Sequence, residues 1–324
     1  MKFLVTGGAG FIGHNVVRYL EALGHECAII DSCTNYNFVP QGELDYLVAA
    51  RTSRFKSKID YIDLRNYDEV ATSLELAQAD TVIHMASFPR QKVVGENPVW
   101  AADVMCSGLV NLLEECRIQC VRRFVYISSS MVYGDFENDV TEDAPCNPQG
   151  LYGIMKYQGE HIVRDYARRT GMEYVIIRPS AVYGEWDVED RVVSKFMLNA
   201  MRGGVLKVNG PDEVLDFSYV EETATGIVLA ATRQEAANQV FNITRSDTHL
   251  YTLQDAAELA VSIAGSGTVI SGARDPNFPK RGRLNIDRAR TVLGYNPKIS
   301  VEEGFRKYYE WFKNDPYWKK NYKL

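Results

Sequence analysis

The amino-acid sequence predicts an α/β protein, a doubly wound parallel sheet with a smaller C-terminal α/β domain. Three observations predict it. Short apolar runs alternate with amphipathic stretches through the first half of the chain. Several of those runs lack apolar/polar alternation, as strands covered on both faces do. A glycine-rich turn, "TGGAGFIG", joins the first run to the first amphipathic stretch. A chain of 324 residues suits one large unit or two fused domains. The change of rhythm near residue 180 divides it into 1–180 and 181–324, with some later segments free to rejoin the first sheet.

The strand candidates in order are "KFLVTG" (2–7), "ECAIID" (26–31), "KIDYID" (58–63), "DTVIHMA" (80–86), "RRFVYISS" (122–129) and "EYVIIRP" (173–179). Gly, Asp or Pro bounds several of them. Helical periodicity covers 11–23, 66–77, 98–117 and 152–170. Beyond 180, helices are expected at 190–203, 221–233 and 253–264, while Gly, Pro and Asn break up 203–220 and 265–282. "SVEEGFRKYYEWF" (300–312) opens on a serine N-cap with glutamates in its first turn, so it reads as a terminal helix packed by its aromatic cluster. This half is expected over the carboxyl edge of the sheet, where open α/β sheets bind ligands.

Hydrophobic content of 46% with 24% charged residues is that of a soluble globular chain, and the formal net charge of −6 argues against nucleic acid or an anionic membrane surface as partner. No apolar run is long enough to span a bilayer, and the N-terminus turns to glycine too early for a signal peptide. Six scattered cysteines without metal-ligand spacing read as reduced thiols, which places the protein in the cytoplasm and predicts no metal site.

Gly7, Gly10 and Gly13 follow a strand and open a helix. Glycine there allows a tight turn and lets the backbone approach a diphosphate on the positive helix N-terminus, the arrangement of a Rossmann dinucleotide site. Asp31 closes the second strand, where a carboxylate accepts the ribose hydroxyls of an adenosine and repels a 2′-phosphate. That favours NAD over NADP. Asp63 ends the third strand, placed either to bond the adenine amino group or to cap the helix over 66–77. Further on, Tyr152 and Lys156 form Y-x-x-x-K on a helical stretch, so phenol and ammonium share one face. A phenol of pKa about 10 is a poor base at neutral pH. A nearby lysine and a cationic nicotinamide are expected to bring it down.

With these motifs in place, the sequence resembles the extended short-chain dehydrogenase/reductases, and among them the NAD-dependent sugar epimerase/dehydratase family. TGGAGFIG, Asp31, Asp63, "HMAS" (84–87), "ENP" (96–98), "SSSMVYG" (128–134), "YGIMK" (152–156), "RPSAVYG" (178–184), "DFSYVEE" (216–222) and "RGRLNIDRARTVLGYNPKIS" (281–300) carry the likeness over nearly the whole chain. It implies Ser129 as the catalytic hydroxyl, Tyr152 as base and Lys156 as holder of the cofactor ribose. It implies an NAD site of Gly7, Gly10, Phe11, Ile12, Gly13, Asp31, Asp63, Leu64, Ala86, Ser128, Tyr152, Lys156 and Pro179. It also implies a nucleotide-sugar substrate and a homodimer joined through the helices near 98–117 and 152–170.

Members that eliminate water after oxidation carry an acidic residue one or two places after the catalytic hydroxyl. Ser130 and Met131 stand there, and neither exchanges a proton usefully at neutral pH. Epimerisation at C4 of a hexose or uronic acid is therefore expected, through a transient keto sugar. A dehydrogenase consuming NAD on a sugar or smaller hydroxy compound is the alternative, ahead of a 4,6-dehydratase or a silent NAD-binding regulator. Family members often carry an Asn and an Arg where this chain has Ala181 and Leu215, and usually an Asn near Asp103. Arg90, Ser130, Met131, Lys195 and Arg281 are the candidates to contact the substrate, with Gln91 beside Arg90 and Lys92 as the alternative inward cation. His84 reads as structural; Phe88 and Tyr133 are expected to pack near the nicotinamide or sugar.

Overall fold

The computed structural model describes residues 1–322. The chain runs β1 (Lys2–Thr6), α1 (Gly13–Ala22), β2 (Glu26–Ile30), α2 (Gln41–Thr52), β3 (Ile59–Asp60), α3 (Tyr67–Ala77), β4 (Thr81–His84), α4 (Gln91–Glu96), α5 (Pro98–Ala102), α6 (Gly108–Ile118), β5 (Arg123–Ile127), α7 (Gly150–Thr170) and β6 (Glu173–Pro179). It continues through β7 (Val182–Tyr183), α8 (Val192–Met201), β8 (Val205–Asn209), β9 (Ser218–Tyr219), α9 (Val220–Thr232), β10 (Gln239–Ile243), α10 (Leu253–Ala264), β11 (Thr268–Gly272), α11 (Val301–Asn314) and α12 (Pro316–Tyr322).

Seven parallel strands form the main sheet in the order β10-β6-β5-β4-β1-β2-β3, the doubly wound Rossmann-type arrangement. Alternate residues of each strand enter different cores. Phe3, Ile29, Ile83, Val125, Ile177 and Phe241 pack with α1 and α9 on one face. Leu4, Ile30, Val82, Phe124, Ile176 and Val240 pack with α3, α6 and α7 on the other. Both alternating positions are thus apolar, which explains why these strands read as continuous hydrophobic runs.

The seventh strand comes from the second half of the chain: β10 pairs with β6 from Gln239↔Val175 to Ile243↔Pro179. A third core joins Phe196, Leu206, Val208, Phe217, Phe305 and Trp318 near the sheet's carboxyl edge, and it takes in Val39, Leu44 and Leu47 from around α2. Tyr308, Trp311 and Phe312 of the terminal aromatic cluster are buried in it. No described helix is long and apolar enough to cross a membrane.

Two expectations fail. Segments 203–220 and 265–282 are not wholly irregular, because β8 and β11 pair in parallel from Thr268↔Val205 to Gly272↔Asn209. Glycines at 203, 204 and 210 hide a short strand whose alternate residues Leu206 and Val208 are buried. The helices α2 and α4 were not expected, and β3 is only two residues long. Phe241 is fully buried in β10. Phe241→Ala is expected to destabilise the fold by about 3–5 kcal/mol, read as a fall in the urea midpoint.

Candidate functional site

The carboxyl ends of β1, β4, β5 and β6 open into a cleft of about 1030 Å³, and a second cavity of about 180 Å³ adjoins it beside β2. The glycine turn separates them and contributes Gly7 and Gly10 to both. Gly7 has φ +75°, and a Cβ there would stand 2.7 Å from the Ala86 amide nitrogen, so a side chain is excluded twice. At Gly13 a Cβ would run into the Gly7 carbonyl oxygen, so glycine lets α1 start against the turn.

Asp31 ends β2 with one carboxylate oxygen accepting from the Ala9 amide at 2.9 Å and the other from the Cys33 amide at 2.9 Å. Burial raises its pKa, and these hydrogen bonds oppose the rise. Asp31, Ala86, Asp63 and Leu64 line the smaller cavity, Ile12, Gly13, Ser128 and Pro179 the larger one, and Phe11 both. Asp63 is gripped by Arg65 at 2.7 Å, which lowers its pKa. It does not cap α3; Asn66 does, accepting from the Glu69 amide. A half-buried acid just after β2, a glycine cradle and a cavity on either side of it fit a dinucleotide.

Ser129, Tyr152 and Lys156 converge in the larger cleft. Ser129 is extended at the end of β5, and its Oγ accepts from the Met131 amide at 3.2 Å. That acceptor bond leaves the serine's own proton free to be donated. Tyr152 and Lys156 lie one turn apart on α7, with the ammonium 5.9 Å from the Tyr152 ring centre. Lys156 is 4% exposed and donates to the Ile127 carbonyl at 2.8 Å. Burial lowers its pKa to about 7.

Burial raises the Tyr152 phenol, and the Arg191 charge and a hydrogen bond from Ser129 oppose the rise. Arg191 falls within the helix expected at 190–203 but stands just before α8, and only folding brings it to the wall of both cavities.

Ser130 donates to Ser180 Oγ at 3.2 Å, and Met131 lines the cleft beside it. Arg90 and Lys195 both pair with Asp190, and all three line the cleft. Arg281 lines it too, its pKa lowered to about 10 by burial. The alternative inward cation, Lys92, also lines the cleft, though it is largely exposed on α4 and within 4.0 Å of Glu96. Gln91 lines it as well and donates to the Asn277 carbonyl at 2.8 Å. Phe88 is buried against Tyr36, with ring centres 4.0 Å apart. His84 accepts or donates with Thr6 Oγ1 at 2.8 Å, and burial followed by the Lys156 charge lowers its pKa to about 3. It is a neutral residue of the sheet.

Residues 3–244 match the model of the NAD dependent epimerase/dehydratase family. The chain belongs to this family. It is an NAD-dependent enzyme of the extended short-chain dehydrogenase/reductase type. The UDP-glucose 4-epimerase of Mycolicibacterium smegmatis is 30% identical, covering 97% of this chain and 99% of that protein. The dTDP-glucose 4,6-dehydratase of Salmonella typhimurium is 27% identical, covering 100% and 96%. Among solved structures, a UDP-glucuronic acid 4-epimerase from Bacillus cereus, in complex with UDP-glucuronic acid and NAD, superposes with a TM-score of 0.87 at 26% identity, covering 97% and 99%. Overall identity therefore does not separate epimerase from dehydratase within the family.

The Lys156 shift yields a stability prediction. Its folded pKa is depressed to about 7, so between that pH and the unfolded value the unfolded chain binds more protons. Wild-type stability then rises with pH across this window, by at most about 1.4 kcal/mol per pH unit. Lys156→Met is expected to lose that rise, so its advantage over wild type in urea midpoint shrinks from pH 7 to pH 10.

Proposed function

We propose that the protein is a nucleotide-sugar 4-epimerase that retains and regenerates NAD within each turnover. The observation that carries this reading is the neutral surround of Ser129. Ser130 bonds Ser180 and Met131 is a thioether, so no acid stands beside the hydroxyl where a dehydratase needs one.

In this reading Tyr152 takes the proton of the sugar's C4 hydroxyl, and Ser129, keeping its proton, donates a hydrogen bond to the same oxygen as a carbonyl forms. Bound NAD supplies the acceptor, and then the donor, of the hydride. Lys156 holds the nicotinamide ribose, and Asp31 receives the adenosine ribose hydroxyls. Tyr152 returns its proton once the keto sugar has turned its opposite face, so substrate and product have the same composition. Arg191 keeps a positive charge near Tyr152 and favours its phenolate. Arg90, Lys195 and Arg281 bring positive charge to the cleft wall, which supports an anionic diphosphate ligand. Exposed Val110 on α6 and Ile154 on α7 support a homodimer across those helices.

Incubation with UDP-glucose, UDP-galactose, UDP-glucuronate and the corresponding dTDP sugars tests the reaction. The expected result is interconversion of C4 epimers without loss of water and without accumulated NADH. Net NADH would establish the dehydrogenase alternative, and loss of water a dehydratase. Tyr152→Phe is expected to lower kcat by roughly 10²–10⁴-fold while leaving NAD bound. Asp31→Asn is expected to weaken NAD about tenfold and to narrow its preference over NADP, measured by titration calorimetry.

A further inference from the structure

The chemistry above makes no use of the buried ion pair between Glu160 and Arg178. Glu160 lies one turn beyond Lys156 on α7 and is 0% exposed; Arg178, on β6, is 2% exposed. The guanidinium grips the carboxylate twice, Nε to Oε1 at 2.9 Å and Nη2 to Oε2 at 2.7 Å. Ser128, the residue before Ser129, donates its hydroxyl to Oε1 at 2.7 Å. Arg164 approaches Oε2 at 3.5 Å, so the carboxylate has partners on both oxygens. Arg178 is held in turn by the Glu142 carbonyl at 3.2 Å and lies 4.8 Å from the Tyr133 ring centre.

Such a pair is weak ground for stability, because desolvating two charges offsets much of their attraction, and apolar side chains of equal volume often serve as well. Its placement says more. Each element it joins carries a group of the reaction centre within a few residues. On α7 these are Tyr152 and Lys156, on β5 Ser129, and past β6 Pro179 and Ser180. Along the extended β5 end Ser128 and Ser129 point to opposite sides. Fixing the first therefore sets the direction of the second. Two main-chain amides complete the hold: that of Ser128 donates to the Ile177 carbonyl at 2.8 Å, and that of Met131 to the Ser129 side-chain Oγ.

We propose that Glu160 is a positioning residue for the reaction, acting through Ser128 to aim the Ser129 hydroxyl at Tyr152. Arg178 supports it by neutralising and orienting the carboxylate. The inference rests on the functional reading above, since it assumes that Ser129 and Tyr152 act together. Ser128→Ala removes the link while Arg178 continues to neutralise Glu160, so no buried charge is stranded; because Ser128 also lines the cleft, NAD affinity is measured with it and is expected to be unchanged. A pair serving only stability would be indifferent to this change.

The test compares wild type, Ser128→Ala and Glu160→Gln by steady-state kinetics, thermal unfolding and NMR of protein isotope-labelled at tyrosine Cζ. The Tyr152 signal is identified by its loss in Tyr152→Phe. Ser128→Ala is expected to lower kcat roughly tenfold, as a misaimed hydroxyl does, with KM and Tm unchanged and the Tyr152 signal displaced. Glu160→Gln strands the Arg178 charge and lowers Tm as well, so Ser128→Ala carries the decision. A wild-type kcat in Ser128→Ala, or a Tyr152 signal that stays in place, overturns the proposal. If wild type epimerises nothing while the Tyr152 signal still moves in Ser128→Ala, the functional reading fails and the positioning role stands.

Discussion

The hydrogen bond from the Lys156 ammonium to the Ile127 carbonyl is the tie on which the site depends. It runs from the middle of α7 to the last residue of β5, and it is buried, so no water competes for either partner. With that distance set, the helical turn between Lys156 and Tyr152 carries the phenol to the strand end where Ser129 begins its own turn. A lysine with one carbonyl partner in an apolar surround is poorly solvated, which is why its pKa falls to about 7. Geometry and proton affinity at this position have a single cause.

The sheet makes that tie possible. Both of its faces are covered, so each strand spends its alternate residues on two cores, and polar side chains such as Ser128, Ser129 and Ser180 stand at the carboxyl ends. Chain crossing gives the cleft two walls. The second half of the sequence returns through β10 to extend the sheet, and the region around α2 adds Val39, Leu44 and Leu47 to the core on the other side. Cations and acids line the cleft together, Arg90 and Lys195 on Asp190, Arg274 on Glu213. Anionic ligands would meet a wall whose charges are already oriented by these pairs.

How much was legible followed the range of each interaction. Gly7, Gly13, Asp31, Ser129, Tyr152 and Lys156 act through local geometry, a turn, a strand end or one helical turn, so their spacing in the sequence announces them. The strand at 205–209 was hidden because its signal is short and its flanking glycines read as breakers. Arg191 carried no local signal, since nothing in "EWDVEDR" tells which of its charges will face the phenol. The surroundings of Tyr152 show the same limit: a helix face shared with Lys156 follows from spacing, whereas the balance of burial against charge follows from everything packed around the pair.

By itself, then, the sequence determined the alternation of strand and helix, the dinucleotide turn, the acid that ends β2 and the absence of an acid after Ser129. Each of these is a property of a few neighbouring residues. Tertiary structure alone decided that Glu160 meets Arg178 and Ser128, that Arg191 reaches the cleft, and that β10 completes the sheet. Those contacts join residues far apart in the chain, and only close packing of the folded core selects one partner among the many that the sequence would allow.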